Sequence, residues 1–133
     1  MKTFAELTYT RPDFKAVSDR LFELTQQLKN AASYEEMRSV YLAQQDLNRE
    51  LSTMSTICSI RADMNTEDPF YSAERKVFNR EMPGLIPAQK AWNEAFLATP
   101  YRKEFSEEFG DRLFVLTENR QKVQSPEIAE ELV

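Results

Sequence analysis

A long stretch of the chain, from Ser33 to Thr66, contains neither proline nor glycine. Its apolar side chains recur at spacings of three and four residues, which is the period of one face of an α-helix. At its start, Ser33 and Glu36 fit a capping box, in which Ser33 accepts from the N–H three residues on and Glu36 accepts from the N–H of Ser33. With a rise of about 1.5 Å per residue, the stretch predicts one helix about 45 Å long. That length exceeds the width of a small compact domain, so it indicates an elongated bundle or a rod that leans on something outside this chain.

The remaining sequence also favours helices over strands. It contains 2 glycines in 133 residues, whereas a sheet protein needs many tight turns whose positive φ angles glycine supplies. An apolar stripe predicts a first helix from about Asp13 to Asn30, with Pro12 in a position that a first helical turn tolerates.

A third helix is predicted to begin at Pro69, with Asp68 as its N-cap, and to turn Phe70 and Phe78 inward. Pro83-Gly84 then interrupts it. An interior proline removes a backbone hydrogen bond and costs about 3 kcal/mol, so we expect a kink or break at this point.

Shorter helices complete the predicted fold. One is expected to start at the cap-plus-proline pair Thr99-Pro100 and to end at Gly110, and another to run from Leu113 to about Val123. The predicted fold class is therefore all-α: an elongated antiparallel bundle with two long helices, a third helix kinked near Pro83-Gly84, and shorter C-terminal helices. Residues 1–133 are expected to form a single helical domain.

The last residues predict a helix that is cut short. Ser125 and Pro126 form a good start, but only about two turns remain before Val133, and so short a helix is marginal alone. We therefore expect the chain to be the N-terminal segment of a longer protein. The alternative is that the last turns simply fray.

The absence of histidine limits the possible chemistry. It excludes a Ser-His-Asp or Cys-His arrangement, a His-Glu-x-x-His zinc site and the Glu-x-x-His pairs of di-iron bundles. Cys58 is the single cysteine, so it forms neither an intrachain disulfide nor a thiolate metal site, and we interpret it as a small core hydrophobe. No catalytic, cofactor-binding or metal-binding residue is assigned to this chain.

Charge and hydropathy limit the partners. The net charge is −5 and no Lys/Arg cluster is evident, so nucleic acid is not an expected partner. No segment approaches the ~18 apolar residues of a membrane helix. The N-terminal residues do not have the pattern of a signal peptide, and the expected location is the cytoplasm.

Arg61 is the side chain with the most open role. It lies near the apolar seam of the second predicted helix, one turn before its end. The simpler interpretation is a surface ion pair with a neighbouring acid (Asp63, Glu67 or Asp68). The alternative is a contact with a carboxylate in another domain or in a ligand. Arg61 and Tyr71 are the two candidates for a substrate-cleft or interdomain contact.

Several short elements, taken in order, resemble the N-terminal region of oligoendopeptidase F-type zinc metallopeptidases, which are related to thimet oligopeptidase. The matching elements run along the whole chain: Arg11-Pro12-Asp13, Leu51–Thr56 with Ile60-Arg61, Asn65–Asp68 with Phe70-Tyr71, Thr99–Glu104, Phe109-Gly110 and Ser125–Ile128. The chain departs from the family at Ala62, where the family often has histidine, and in its more interrupted third helix.

This resemblance implies a cytoplasmic, helix-rich zinc endopeptidase that cuts short peptides. The zinc motif would lie far C-terminal to this segment, whose helices would form one wall of the substrate cleft. The implied partners are the catalytic domain and, through the full enzyme, oligopeptides. Exposed apolar surface would also allow self-association. The alternative function is a free-standing helical interaction module without enzymatic activity.

Overall fold

The structure is a computed structural model, and it describes residues 7–123 except Thr66 and Asp68. Within those residues every regular element is helical, which confirms the all-α prediction. The elements are α1 (Phe14–Lys29), α2 (Tyr34–Met64), α3 (Pro69–Glu81), a 3₁₀ segment (Met82–Leu85), α4 (Ile86–Leu97), α5 (Arg102–Phe109) and α6 (Arg112–Val123). The expected N-cap at Asp68 and the expected helix from Ser125 lie outside the described residues.

The ends of α1 follow from local capping. Asp13 has an extended backbone, and its side chain accepts from the N–H of Ala16 at 3.0 Å. Asn30 closes the other end through its backbone N–H, which donates to the carbonyl of Gln26 at 3.0 Å. Both boundaries confirm the predicted helix.

Helix α2 is one continuous helix of 31 residues, as predicted. Ser33 accepts from the N–H of Glu36 at 3.2 Å, so the first half of the expected capping box is present. The second half is wrong by one residue, because the Glu36 carboxylate reaches further back and accepts from the N–H of Ala32 at 2.8 Å.

The predicted kink near Pro83-Gly84 is confirmed. Helix α3 ends at Glu81, a tighter 3₁₀ turn follows, and the chain resumes an α-helix at Ile86. The expected inward position of Phe70 is wrong, since its side chain is 53% exposed. It lies in the first turn of α3, at the end of the bundle, and packs edge-on against Tyr9 and Tyr71 instead.

Two apolar clusters along the bundle explain its elongated shape. The larger cluster joins the C-terminal half of α1 and the N-terminal part of α2 to α4, α5 and α6, with Trp92, Phe105 and Phe114 at its centre. The second cluster, around Phe14 and Phe78, joins the start of α1 to α2 and α3. The end of α1 packs with the start of α2 in the larger cluster, and the start of α1 packs with the later part of α2 in the second cluster, so the two helices are antiparallel.

None of the helices in the described part of the chain combines the length and the hydropathy needed to cross a bilayer.

Candidate functional site

The two residues nominated from sequence, Arg61 and Tyr71, lie in contact with each other. Arg61 is in the last turn of α2 and Tyr71 in the first turn of α3. The Arg61 Nη1 donates to the Tyr71 hydroxyl at 3.0 Å, and the guanidinium carbon lies 5.5 Å from the centre of the tyrosine ring. Arg61 Nη2 also donates to the carbonyl of Leu7 at 2.6 Å. Arg61 therefore joins two helices and the segment that precedes α1.

Asp63, one of the three acids expected as a partner of Arg61, accepts from Arg75 at 2.6 Å. Of the two other expected partners, Glu67 is exposed, and Asp68 lies outside the described residues.

The segment of residues 7–13, called the arm below, is not helical and lies against α2 and α3. A buried carboxylate anchors it. The Glu74 side chain is 4% exposed, and it accepts from Arg11 Nε at 3.0 Å and from the Tyr9 hydroxyl at 3.0 Å. The arm therefore depends on one acid of α3 for most of its polar anchoring.

This arrangement changes the pKa values of the Glu74 carboxyl group and of the Tyr9 phenol. The hydrogen bonds from Arg11 lower the pKa of Glu74, although burial of the carboxyl acts in the opposite direction. Burial, together with the Glu74 carboxylate, raises the pKa of the Tyr9 hydroxyl. The pair is thus held as an ionised carboxylate and a neutral phenol.

Glu74 is not among the residues predicted from the sequence, although the spacing of residues on α3 contains a signal for it. Phe70, Glu74 and Phe78 are spaced by four residues and share one face of α3. A carboxylate between two aromatic residues on an apolar stripe is a candidate for a buried, paired acid.

A cleft of about 520 Å³ lies between the arm, the start of α1 and the middle of α2. Its lining includes the apolar residues Val17, Leu51 and Met54, and its charged residues are Arg11, Asp13 and Glu50. The backbone N–H of Thr10 contacts the Met54 sulfur at 3.4 Å and closes one side. Such a cleft can bind an apolar side chain, but its lining contains no nucleophile with a base.

Cys58 is packed into the second cluster and is 1% exposed. Burial is the largest cause of its raised thiol pKa, followed by the nearby Glu74 carboxylate. Its Sγ donates to the carbonyl of Tyr71 at 3.5 Å. A protonated, enclosed thiol is a poor nucleophile, in agreement with its interpretation as a core residue.

No three His, Cys, Asp or Glu side chains are placed to share a metal ion in the part of the chain that the structure covers. The hydrogen bonds that hold Arg61 to Tyr71 and to the arm fix donors in place that can position or bind a partner.

Residues 4–124 match the Peptidase M3 N-terminal domain family. Among solved structures, the chain is 29% identical to PZ peptidase A bound to an inhibitor, with a TM-score of 0.86. That match covers 98% of this chain and 23% of the solved chain. No curated protein matches the chain.

Two further solved structures are assigned as oligoendopeptidase F. One is 29% identical, with a TM-score of 0.87, and the match covers 99% of this chain and 23% of that chain. The other, from Bacillus anthracis strain Ames, is 26% identical with a TM-score of 0.87, covering 99% and 24%. This chain thus spans about a quarter of the length of the solved chains that it matches.

Proposed function

We propose that this chain, which belongs to the peptidase M3 N-terminal domain family, is the non-catalytic N-terminal domain of a zinc-dependent oligoendopeptidase and forms one wall of its substrate cleft. The family match over residues 4–124 carries the proposal. The similar solved chains are about four times as long as this one, which supports the remainder of a peptidase as its partner. We place the enzyme in the cytoplasm and take short peptides as its substrates.

The residues of this chain do not fit a zinc site. A peptidase zinc site uses histidine and carboxylate ligands, and this sequence has no histidine and a single cysteine. The zinc and its water-activating base would therefore belong to the downstream part of the enzyme, and no catalytic step is assigned here.

The proposal assigns the arm and the Arg61–Tyr71 contact to the wall of the cleft or to the junction with the catalytic domain. Arg61 keeps a fixed position because it bonds both Tyr71 and Leu7. Arginine presents a planar set of donors suited to carboxylates, which is the chemistry of a peptide terminus or of an acidic side chain in a neighbouring domain.

Peptide hydrolysis tests the assignment of catalysis. The purified chain is incubated with an internally quenched oligopeptide, and its zinc content is measured by mass spectrometry. We expect neither hydrolysis nor stoichiometric zinc from the chain alone, and both from the full-length enzyme. Activity that co-purifies with the isolated chain through successive columns would end the proposal.

The role of Arg61 is tested in the full-length enzyme by Arg61→Ala and Tyr71→Phe. Arg49→Ala is the matched control, because Arg49 lies on the same helix with a side chain that is 75% exposed. We expect Arg61→Ala to lower kcat/KM for oligopeptides several-fold and Arg49→Ala to leave it unchanged. If Arg61→Ala and Tyr71→Phe both keep the kcat/KM of the wild type, Arg61 is only a structural link between α2, α3 and the arm.

The alternative of a free-standing interaction module makes the opposite prediction. It requires a gene that ends at Val133 and a monomer that melts cooperatively without a downstream partner. Reading the coding sequence past Val133 for a His-Glu-x-x-His motif distinguishes the two functions directly.

A further inference from the structure

We propose that a pocket between α2, α4 and α6 binds the carboxyl-terminal end of a peptide, holding its last peptide group with buried amides and its free carboxylate with Arg120. The pocket has a volume of about 140 Å³. It is separate from the arm and from the Arg61–Tyr71 contact. The inference does not depend on the parent protein being a peptidase, because it rests on the lining alone.

Each helix contributes a stripe of residues spaced by three and four. On α2 the stripe includes Gln44, Gln45 and Asn48, and on α4 it includes Gln89 and Asn93. Inward stripes of a bundle normally carry apolar residues. The amide side chains that α2 and α4 both turn toward this pocket depart from that apolar pattern, and the departure requires a physical reason.

The two deepest amides each have one end used and one end open. Gln44 is 3% exposed and Asn93 is 5% exposed. The Gln44 carbonyl accepts from Gln45 at 2.7 Å, and the Asn93 carbonyl accepts from Gln89 at 2.9 Å. The NH₂ groups of Gln44 and Asn93 donate to no other residue that the structure describes, and both residues line the pocket.

Neither NH₂ group is sealed inside the protein. Among the described residues, the fully buried side-chain nitrogen and oxygen atoms that lack a hydrogen-bond partner are Arg75 Nε and Glu104 Oε2. The NH₂ nitrogens of Gln44 and Asn93 do not belong to this set, so they are not fully buried. The open donors of Gln44 and Asn93 are thus reachable from the pocket. Because these two donors lack a protein acceptor and can be reached from the pocket, the pocket is suited to an occupant that supplies acceptor oxygens.

The charge of the residues that line the pocket limits which ligands it can bind. The whole chain has a net charge of −5, yet the lining of this pocket contains no carboxylate, and its charged residue is the exposed Arg120. Arg120 forms no ion pair with any described acid. A ligand that combines a peptide carbonyl with a nearby carboxylate satisfies the NH₂ groups and the guanidinium together.

The volume of the pocket fits one small amino-acid residue of a bound peptide. A volume of about 140 Å³ is the space of roughly four or five water molecules at about 30 Å³ each. Trp92 and Phe96 supply an apolar surface beside the amides, against which the α-carbon of the ligand can pack. The competing occupant is water, and the experiment is designed to separate the two.

The test uses the 133-residue chain labelled with nitrogen-15 and two probes of nearly equal shape. N-acetylglycine carries an amide and a carboxylate, whereas N-acetylglycinamide carries the amide without the charge. We expect N-acetylglycine to shift the side-chain NH₂ signals of Gln44 and Asn93 in a saturable way, with a Kd on the order of millimolar, as befits a small ligand. N-acetylglycinamide should bind at least about threefold more weakly because it lacks the contact with Arg120.

Gln44→Met removes the amide at nearly constant volume and should weaken binding about tenfold, the effect of one lost hydrogen bond. Gln26→Met is the matched control, since Gln26 is exposed on α1 and away from the pocket. If Gln44→Met fails to fold, Asn93→Leu replaces it. Signals that do not move up to about 50 mM probe would show a water-filled pocket and overturn the proposal. An unchanged Kd in the pocket variant would show that the probe binds elsewhere, and it would also overturn the proposal. Equal binding of the two probes would overturn the role of Arg120 and the choice of a peptide terminus.

Discussion

At the scale of single residues, Glu74 connects a segment without secondary structure to the helices. Its position on α3 could be inferred from the Phe70–Glu74–Phe78 stripe, but its partners could not. Tyr9 and Arg11 lie more than sixty residues earlier, and a contact at that sequence separation depends on the packing of the whole bundle. Arg61 and Tyr71 were nominated individually, and their contact depends in the same way on how α2 meets α3.

Glu74→Gln should lower the free energy of unfolding by roughly 1–3 kcal/mol, because it removes a buried charge-assisted hydrogen-bond partner. The cost is limited by Arg11, whose side chain is 58% exposed and can be hydrated when its partner is lost. Urea denaturation at pH 7 measures the change. Glu50→Gln is the control, since Glu50 is an exposed acid on α2, and an equal effect of both substitutions would contradict the assigned role of Glu74.

The Glu74 contribution should also depend on pH. Its folded-state pKa is lowered, mainly by Arg11, so its stabilisation is fully present above the unfolded pKa of about 4.3 and is lost as the pH falls through the folded pKa. The difference in stability between the wild type and Glu74→Gln should therefore be constant above about pH 5 and shrink below about pH 4. A difference that grows on acidification would contradict this.

Cys58 should be almost inert in the folded protein. Its side chain is 1% exposed, and burial raises its pKa, so little reactive thiolate is present at neutral pH. We expect an aromatic disulfide reagent to react only at the rate of local or global opening, and rapidly in denaturant. Fast reaction under native conditions would mean that the contact between α2 and α3 opens readily.

At the scale of elements, the helices could be predicted because their signals are local. Capping side chains, prolines and the 3.6-residue period located α1, α2 and the break between α3 and α4 close to their observed positions. Pattern alone did not show which apolar residues are covered at an end of the bundle. Phe70 and Ile86 are both 53% exposed, although they continue apolar stripes, because coverage depends on neighbours that are distant in sequence.

The two glycines should respond to alanine with opposite signs. At Gly84 an added Cβ meets nothing within 4 Å and the backbone is not left-handed, so Gly84→Ala should raise the free energy of unfolding by about 0.4–1 kcal/mol by restricting the unfolded chain. Gly110 closes α5 with φ 86° and ψ 162°, a conformation that is nearly exclusive to glycine, and Gly110→Ala should cost about 1–3 kcal/mol. Chemical denaturation of both variants tests this, and effects of the same sign would contradict the backbone argument.

At the scale of the whole molecule, the amide pocket shows what sequence patterns leave out. The apolar seam of α2 passes from Tyr41 to Leu47 and omits Gln44, which the period would place inward. The omission could be seen in the sequence, but its meaning required the matching amides of α4 and the position of α6. A pocket formed by three helices has no signature in any one of them.

The exposed apolar side chains lead to a prediction about assembly. Met64 at the end of α2 is 75% exposed, and burying a methionine contributes roughly 1.5–3 kcal/mol. In the isolated chain, such contacts should cause weak self-association, seen as an apparent mass that rises with concentration in sedimentation or light scattering. Met64→Lys should reduce this association, and Gln26→Lys, which adds the same charge at a polar position, should not.

Met64→Lys and Gln26→Lys also show whether Met64 lies in an interface with the rest of the enzyme or on solvent-exposed surface. If Met64 packs against the downstream part of a full-length enzyme, Met64→Lys should lower the thermal stability of that enzyme while leaving the fold of the isolated chain intact, because the charge would be buried at the junction. If Met64→Lys is neutral in both contexts, the end of α2 faces solvent. The contacts between this domain and the rest of the protein must then lie on another face of the bundle.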